Sequence, residues 1–250
     1  MPNQPHTFNT YIQKVMNIKR TTQVALLLII LLVAGFIITV MAWSKPQIQD
    51  PMALGEPAIK AQQIDTTPIV HSVRGKKAVF IGDSHTAADY GWQYQVCKKT
   101  GMSMLNTAVG GKQTYWMLQT ASTVLAGDFD YCFIYGGAND MAGNRPPIKS
   151  VKNIQKIVNI CNERGIKAVV LTGFDPITCV NVAGRDQYKG YPKRYAKFQQ
   201  MLLDSIVGAQ VVKTHCISRT DCGDFLCHMT ASGHKKMAEA VISACRFKKI

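Results

Sequence analysis

The chain has 250 residues, of which 47% are hydrophobic and 18% are charged, so it can bury a substantial core in one medium-sized domain. Its 29 basic residues outnumber its 15 acidic residues and give a net charge of +14. The sequence contains no basic motif with interleaved aromatic residues of the kind that indicates a nucleic-acid partner. The positive charge is compatible with anionic lipid headgroups or acidic cell-wall polymers as partners.

The first predicted element is a transmembrane helix over residues 24–43, a run of twenty residues without a charge. At about 1.5 Å per residue it is long enough to cross the apolar core of a bilayer. The apolar region of a cleaved signal peptide is usually shorter. We therefore expect an uncleaved anchor, and cleavage after Ala42 is the alternative.

The charges on either side of this span predict its orientation. Lys14, Lys19 and Arg20 precede it without any acidic residue, and both signs of charge follow it. Because positive residues favour the cytoplasmic side, residues 1–23 are expected in the cytoplasm and the remainder in a periplasm or outside the cell.

A proline-rich segment separates the span from a regular domain. Residues 44–75 contain four prolines and no sustained periodicity, which predicts a tether. From residue 76 onward, strands and helices alternate. The predicted strands are residues 76–82, 102–111, 129–140, 166–174 and 209–215. The predicted helices are residues 90–101, 114–127, 148–165, 191–208 and 231–247. One face of the third helix carries Ile148, Val151, Ile154, Ile157, Val158 and Cys161.

Alternation of this kind predicts an α/β domain with a five-stranded parallel sheet covered on both faces. Ligands of such sheets bind outside the carboxyl ends of the strands. Four separate segments bring polar or turn residues to that edge. These residues are Ser84, Gly110, Gly111, Asn139, Asp140, Asp221, Asp224 and His228.

The residues expected at this edge suit acyl transfer. A serine hydroxyl becomes a nucleophile when a base accepts its proton, and His228 can be that base for Ser84. A neighbouring aspartate would orient the imidazole. Backbone N–H groups of Ser84 and of a glycine, together with the Asn139 side-chain amide, would donate to the oxyanion of the tetrahedral intermediate.

Four sequence blocks resemble those of the SGNH/GDSL hydrolase family, which takes its name from its Ser, Gly, Asn and His. They read IGDSHT, NTAVGGKQT, GGAND and FLCHMTASGHKKMA, and they occur in the family's order. The resemblance implies a flavodoxin-like three-layer α/β/α fold and hydrolysis of esters or thioesters by a serine, usually without a metal. It assigns Ser84 as nucleophile, His228 as base, and Gly111 and Asn139 as oxyanion donors.

Two positions depart from the family pattern. The family usually has an aspartate three residues before the histidine, where this chain has Phe225. We expect Asp224 to be the third member of the triad, with Asp221 in reserve and a Ser–His dyad as another possibility. His85 follows the nucleophile in place of the commoner leucine, and we expect it to be a packing residue.

Several neighbouring polar residues have a structural interpretation. Ser84 could simply cap the following helix, and one of the two glycines could be a plain turn residue. Asp83 is expected to accept hydrogen bonds from nearby backbone amides and shape the turn. Asp140 and His234 are also expected to be structural.

All eight cysteines follow the apolar span, so an oxidising compartment predicts that some of them pair. Cys132 and Cys161 are expected to be buried thiols. A disulfide among Cys216, Cys222 and Cys227 would stiffen the loop before His228, and Cys179 is a further candidate partner. The alternative is a zinc site built from His215, Cys216, Cys222, Cys227 and His228, although no paired CxxC motif supports it.

The sequence therefore predicts a membrane-anchored serine esterase without a cofactor, acting on O-acyl esters, such as O-acetyl groups, of a cell-envelope glycan. A lipid esterase or lysophospholipase, and an acyltransferase, would use the same site. An alternative of another class is an inactive module that binds glycan or has a structural role. The oligomeric state stays open.

Overall fold

The computed structural model describes residues 70–250 and shows one α/β unit. The predicted cytoplasmic segment 1–23, the transmembrane helix 24–43 and most of the tether lie outside the described residues. Within residues 70–250, no helix combines the length and the apolar character needed to cross a membrane.

The five predicted strands are present and form one parallel sheet, in the order β2-β1-β3-β4-β5. This is the flavodoxin-like order, with its switch point between β1 and β3. The strands are β1 (Lys77–Gly82), β2 (Ser103–Asn106), β3 (Tyr131–Tyr135), β4 (Lys167–Leu171) and β5 (Gln210–Val212). The prediction of an α/β fold with a five-stranded parallel sheet is confirmed.

Seven α-helices occur in residues 70–250. They are α1 (Trp92–Thr100), α2 (Thr114–Val124), α3 (Ala138–Ala142), α4 (Pro147–Glu163), α5 (Pro176–Cys179), α6 (Tyr191–Ser205) and α7 (Ala231–Ala244). Helix α1 packs against α7, and α4 packs between α2 and α6. Because parallel crossovers are right-handed, these two groups cover opposite faces of the sheet.

Strands β1 and β3 are apolar along almost their whole length because helices cover both faces of the sheet. Phe80 of β1 stacks on Phe133 of β3 within this core, with ring centroids 4.8 Å apart. Five of the six residues on the predicted apolar face of α4 are buried. The exception is Ile148, 46% exposed in the first helical turn.

The end of the expected tether packs on the domain. The His71 N–H donates to the Arg246 carbonyl over 3.0 Å, and the Lys248 N–H donates to the His71 carbonyl over 2.9 Å. Val73 is buried in the core. Chain segments from both ends of the described region therefore meet.

Candidate active site

Ser84 lies in the turn that follows β1, at the switch point of the sheet. The Asp83 carbonyl accepts hydrogen bonds from the N–H groups of Thr86 and Ala87, which closes this turn. Gly82 is required at its start because a Cβ there would lie 2.5 Å from the Tyr135 carbonyl oxygen. The polypeptide thus leaves the sheet abruptly and presents Ser84 at the carboxyl edge.

Ser84 and His228 are in direct contact although 144 residues separate them. The Ser84 Oγ and His228 Nε2 atoms are 2.9 Å apart, and on the other side of the ring Nδ1 is 2.5 Å from Asp224 Oδ2. The side chains of His228 and Asp224 are 45% and 39% exposed. An imidazole held in this way can accept the serine proton at a site that is open to solvent.

The loop before His228 accommodates the extra residue relative to the family pattern. Cys227 adopts a left-handed backbone conformation with φ of 64°, so the loop folds back on itself. The second carboxylate oxygen of Asp224 accepts hydrogen bonds from the N–H groups of Leu226 and His228, each over 3.0 Å. Burial alone would raise the pKa of Asp224, but the hydrogen bonds from His228 outweigh it and lower that pKa.

Asp221, the reserve candidate, is occupied elsewhere. Its buried carboxylate accepts hydrogen bonds from Lys236 Nζ and from the Ser232 hydroxyl, over 2.8 and 2.9 Å, and from the Ser218 N–H over 2.8 Å. The Lys236 ammonium lowers the pKa of this carboxyl. Asp221 therefore ties the loop to the start of α7, and Asp224 is the carboxylate that contacts His228.

The second block forms a tight turn beside the serine. The Lys112 N–H donates to the Val109 carbonyl, and Gly111 has φ of +75°, as the third residue of a type II turn requires. A Cβ on Gly110 would lie 3.7 Å from the Ser84 Cβ, whereas a Cβ on Gly111 would meet no atom within 4 Å among the described residues. Gly110 thus borders Ser84 directly, and Gly111 shapes the turn.

Asn139 is the second residue of the short helix α3, where the sequence predicted only a polar turn. Its side-chain Nδ2 donates to the Lys112 carbonyl over 3.2 Å and to Asp83 Oδ2 over 3.3 Å. The amide is therefore fixed between the second block and the nucleophile turn. Both of its donors have partners in this state, so a developing oxyanion would have to share or displace one of them.

The model of the GDSL-like lipase/acylhydrolase family matches residues 80–236, well over half of the chain. The chain belongs to this family. Membership confirms the prediction of a serine hydrolase acting on ester bonds.

Solved structures of GDSL proteins have the same fold. A GDSL-like lipase from Bacteroides thetaiotaomicron shares 16% identity at a TM-score of 0.57, over 68% of this chain and 87% of its own. An acetylxylan esterase from Geobacillus stearothermophilus shares 15% identity at a TM-score of 0.55, over 70% and 96%. These likenesses support the fold. No curated protein matches the sequence at the significance required for these comparisons.

Asp83 of this GDSL domain links the nucleophile turn to Asn139. One carboxylate oxygen accepts the His85 N–H over 3.1 Å, as expected for a residue that shapes the turn, and the other accepts from Asn139. Burial raises the pKa of Asp83 to about 7, although the hydrogen bond from His85 opposes the shift. The sequence does not predict the contact with Asn139, because no local pattern connects residues 56 positions apart.

The residues expected to be structural have structural contacts. Asp140 accepts hydrogen bonds from the Thr114 N–H and hydroxyl and from the Ser150 hydroxyl, over 2.7 to 2.9 Å. His234 accepts the Trp92 N–H through Nδ1 over 3.2 Å. His85 is a buried packing residue whose ring lies against His228.

The prediction that some cysteines pair is confirmed by a disulfide between Cys222 and Cys227. Cys132 and Cys161 are buried and free, whereas Cys216 is free and exposed. Cys179 is free as well, with its Sγ within 4.8 Å of both bridged sulfurs. The bridge spans Asp224 and therefore restrains the loop that carries it.

The alternative zinc site is not assembled. His228 contacts Ser84 and Asp224, and two of the proposed cysteine ligands are joined to each other. Among residues 70–250, the one cluster of potential metal ligands contains Cys179, Cys222 and Cys227 and neither of the proposed histidines.

Proposed function

We propose that this GDSL protein hydrolyses O-acyl esters, and specifically O-acetyl groups, of a cell-envelope glycan through an acyl-serine intermediate. The observation that carries the proposal is the chain of contacts from Ser84 Oγ to His228 Nε2 and from His228 Nδ1 to Asp224. The similarity in fold to an acetylxylan esterase and the open, solvent-exposed site support an acetylated polymer as substrate.

In the proposed mechanism, Ser84 Oγ attacks the ester carbonyl carbon while His228 Nε2 accepts the hydroxyl proton. Asp224 keeps the proton of the other ring nitrogen on Nδ1 and stabilises the imidazolium. The N–H groups of Ser84 and Gly111 and the Asn139 amide donate to the oxyanion. The intermediate collapses as the bond to the sugar oxygen breaks, His228 gives its proton to that oxygen, and the acetyl group remains on Ser84 Oγ.

Deacylation repeats the same steps with water. His228 removes a proton from a water molecule, the resulting hydroxide attacks the acetyl carbonyl, and Ser84 Oγ leaves with that proton. Acceptance of the acetyl group by a second sugar hydroxyl in place of water would make the protein an acyltransferase. A lysophospholipase would require the same steps with a lipid ester.

The inactive module has less support than the esterase. Its expected feature is an Asp224 that points away from His228, with no other acceptor. The observed contact between Asp224 and His228 is the opposite arrangement.

For location, we propose that residues 24–43 anchor the chain in a membrane, with the GDSL domain on the periplasmic or extracellular side.

The experiment is to label the full-length chain, purified in a non-ionic detergent, with a fluorophosphonate. Labelling of the parent and of Ser122→Ala, but not of Ser84→Ala or His228→Ala, would support an activated Ser84; Ser122 is the matched control because it lies exposed on α2. A folded parent that remains unlabelled would overturn the proposal. Release of acetate from acetylated xylan, set against turnover of lysophospholipid, then separates glycan from lipid substrates.

A further inference from the structure

Four exposed cationic side chains line a groove of about 410 Å³ on the α4 side of the molecule. We call it the cationic groove and define it by Arg145, Lys149, Lys152 and Lys156. The three lysines recur at spacings of three and four residues, so they lie along one face of α4. Their charges are therefore concentrated along one line.

These charges are not neutralised within the domain. Among residues 70–250, no carboxylate lies within 4.0 Å of any of the four cationic groups. The groove does contain one carboxylate, Asp140, but it is buried and accepts hydrogen bonds from Thr114 and Ser150. Within residues 70–250 the four cations therefore have no carboxylate partner, and an external anion can bind them.

The arrangement is unfavourable for α4 itself. Lys149 lies in the first helical turn, where the helix dipole favours negative charge, and this turn contains no acidic residue. Lys152 is three residues after Lys149 and four before Lys156, so like charges are neighbours on the helix surface. Helix stability therefore does not explain these lysines, and a bound anion would relieve the repulsion.

The groove begins at the loops that carry the proposed oxyanion donors. Gln113, which lines the groove, follows Gly111 by two residues, and Asp140 directly follows Asn139. Tyr115, also in the lining, has 62% of its surface exposed and offers a flat ring beside the cations. A polymer that presents one unit at Ser84 can thus extend its neighbouring units into the groove.

We propose that the cationic groove binds the anionic units of an acylated polyanionic glycan while an O-acyl group of the same glycan chain reacts at Ser84. This inference rests on the proposed esterase function and adds the charge class of the substrate. A concave groove that adjoins the site suits a single extended chain, whereas an anionic bilayer presents a broad surface. The acidic units would be carboxylates or phosphates.

The test compares two triple variants of the full-length chain in non-ionic detergent. Lys149→Gln/Lys152→Gln/Lys156→Gln removes three charges from the groove. Lys98→Gln/Lys235→Gln/Lys248→Gln removes three other exposed charges, from α1, α7 and the segment after α7; among residues 70–250 none of them has a carboxylate within 4.0 Å. The substrates are O-acetylated polygalacturonate, which is anionic, and O-acetylated xylan, which is neutral.

The measured quantity is the ratio of kcat/KM on the anionic polymer to kcat/KM on the neutral one. We expect the groove variant to lower this ratio by about ten-fold, because each exposed ion pair contributes a few-fold, and the control variant to keep it within about two-fold. High salt should lower the ratio of the parent toward that of the groove variant.

Equal ratios for the two triple variants would overturn the inference, since diffuse charge would then explain any preference. The inference would also be overturned if the groove bound phosphatidylglycerol vesicles while the protein showed no preference for the anionic glycan. Binding of polygalacturonate to Ser84→Ala, with and without the groove substitutions, is measured separately. It keeps a failure of the esterase proposal distinguishable from a failure of the groove proposal.

Discussion

The imidazole ring of His85 lies against the imidazole ring of His228, with centroids 5.0 Å apart and planes inclined by 21°. His85 is buried, also contacts Tyr135 and Phe174, and has no hydrogen-bond partner for Nδ1 among residues 70–250. Burial, reinforced by the neighbouring His228, lowers the pKa of His85 to about 3. The base therefore faces a neutral ring throughout the neutral pH range.

This burial predicts a pH-dependent stability difference between the parent and His85→Leu. In the unfolded chain His85 binds a proton below its ordinary pKa of about 6.5, whereas the folded chain resists protonation down to about pH 3. The contribution of His85 to the unfolding free energy of the parent therefore decreases as pH falls below about 6.5, by up to about 1.4 kcal/mol per pH unit. The His85→Leu variant lacks this proton-binding group. Its unfolding free energy, measured with urea, should therefore rise relative to that of the parent by the same amount per pH unit as pH falls.

The comparison with the parent is needed because Asp83 has the opposite effect. Its pKa of about 7 exceeds the ordinary carboxyl value, so the folded chain binds the extra proton and stability falls as pH rises from about 4 to 7. In the parent the two slopes nearly cancel between about pH 4 and 6.5. Parallel stability curves for parent and His85→Leu would contradict the assignment of a buried neutral His85.

Substitution of the two loop aspartates distinguishes catalytic orientation from loop stability. Asp224→Asn should lower kcat/KM by about 10²- to 10⁴-fold, because the amide cannot hold His228 in the required tautomer. Asp221→Asn should instead lower the unfolding free energy by about 1–3 kcal/mol through its contacts with Lys236 and Ser232. The measurements are ester hydrolysis by the folded fraction and urea unfolding. The opposite pattern would assign Asp221 to the triad.

The sequence predicted the sheet because its strands are signalled locally. Lys77–Gly82 and Tyr131–Tyr135 are short apolar runs ending in glycine or a polar turn, and a parallel sheet brings such ends to one edge. The approach of Ser84 to His228 follows from this rule. Element ends were less predictable: β2 stops at Asn106, and Asn139 lies in a short helix.

The sequence did not predict the contacts between loops. The choice between Asp224 and Asp221 depends on the left-handed backbone at Cys227, which few non-glycine residues adopt and which no local pattern announces. The Asp83–Asn139 hydrogen bond and the stacking of His85 on His228 likewise depend on side-chain packing across the sheet edge. The cysteine pairing is a further example, since several partners were compatible with the spacing.

The hydrogen bond between Asp83 and Asn139 predicts that Asp83 is a positioning residue. In Asp83→Asn the new NH2 group faces the NH2 of Asn139, so the contact is lost while the backbone hydrogen bond from His85 can persist. We expect kcat to fall by about ten-fold with little change in KM, because the oxyanion donor is used mainly in the transition state.

A double-mutant cycle with Asn139→Ala tests whether Asp83 acts through Asn139. If it does, Asp83→Asn should cost little kcat once Asn139 has been removed, so the double variant should resemble Asn139→Ala. Multiplicative losses in kcat would show that the two residues act independently. A proportional loss of folded protein, with normal kcat per folded molecule, would reduce Asp83 to a stability role.

The Cys222–Cys227 disulfide should stabilise the fold through the short loop that carries Asp224. In the chain-entropy view, a loop of this size contributes about 2 kcal/mol. We expect Cys222→Ser/Cys227→Ser to lose that amount of unfolding free energy and to become insensitive to reductant.

Cys216→Ser is the matched control, because Cys216 is free and exposed, and it should respond to reductant as the parent does. Denatured, unreduced parent should titrate six free thiols. Eight thiols, or identical stability before and after reduction, would contradict the bridge, and a Cys179 adduct in a peptide map would reveal exchange with the neighbouring thiol.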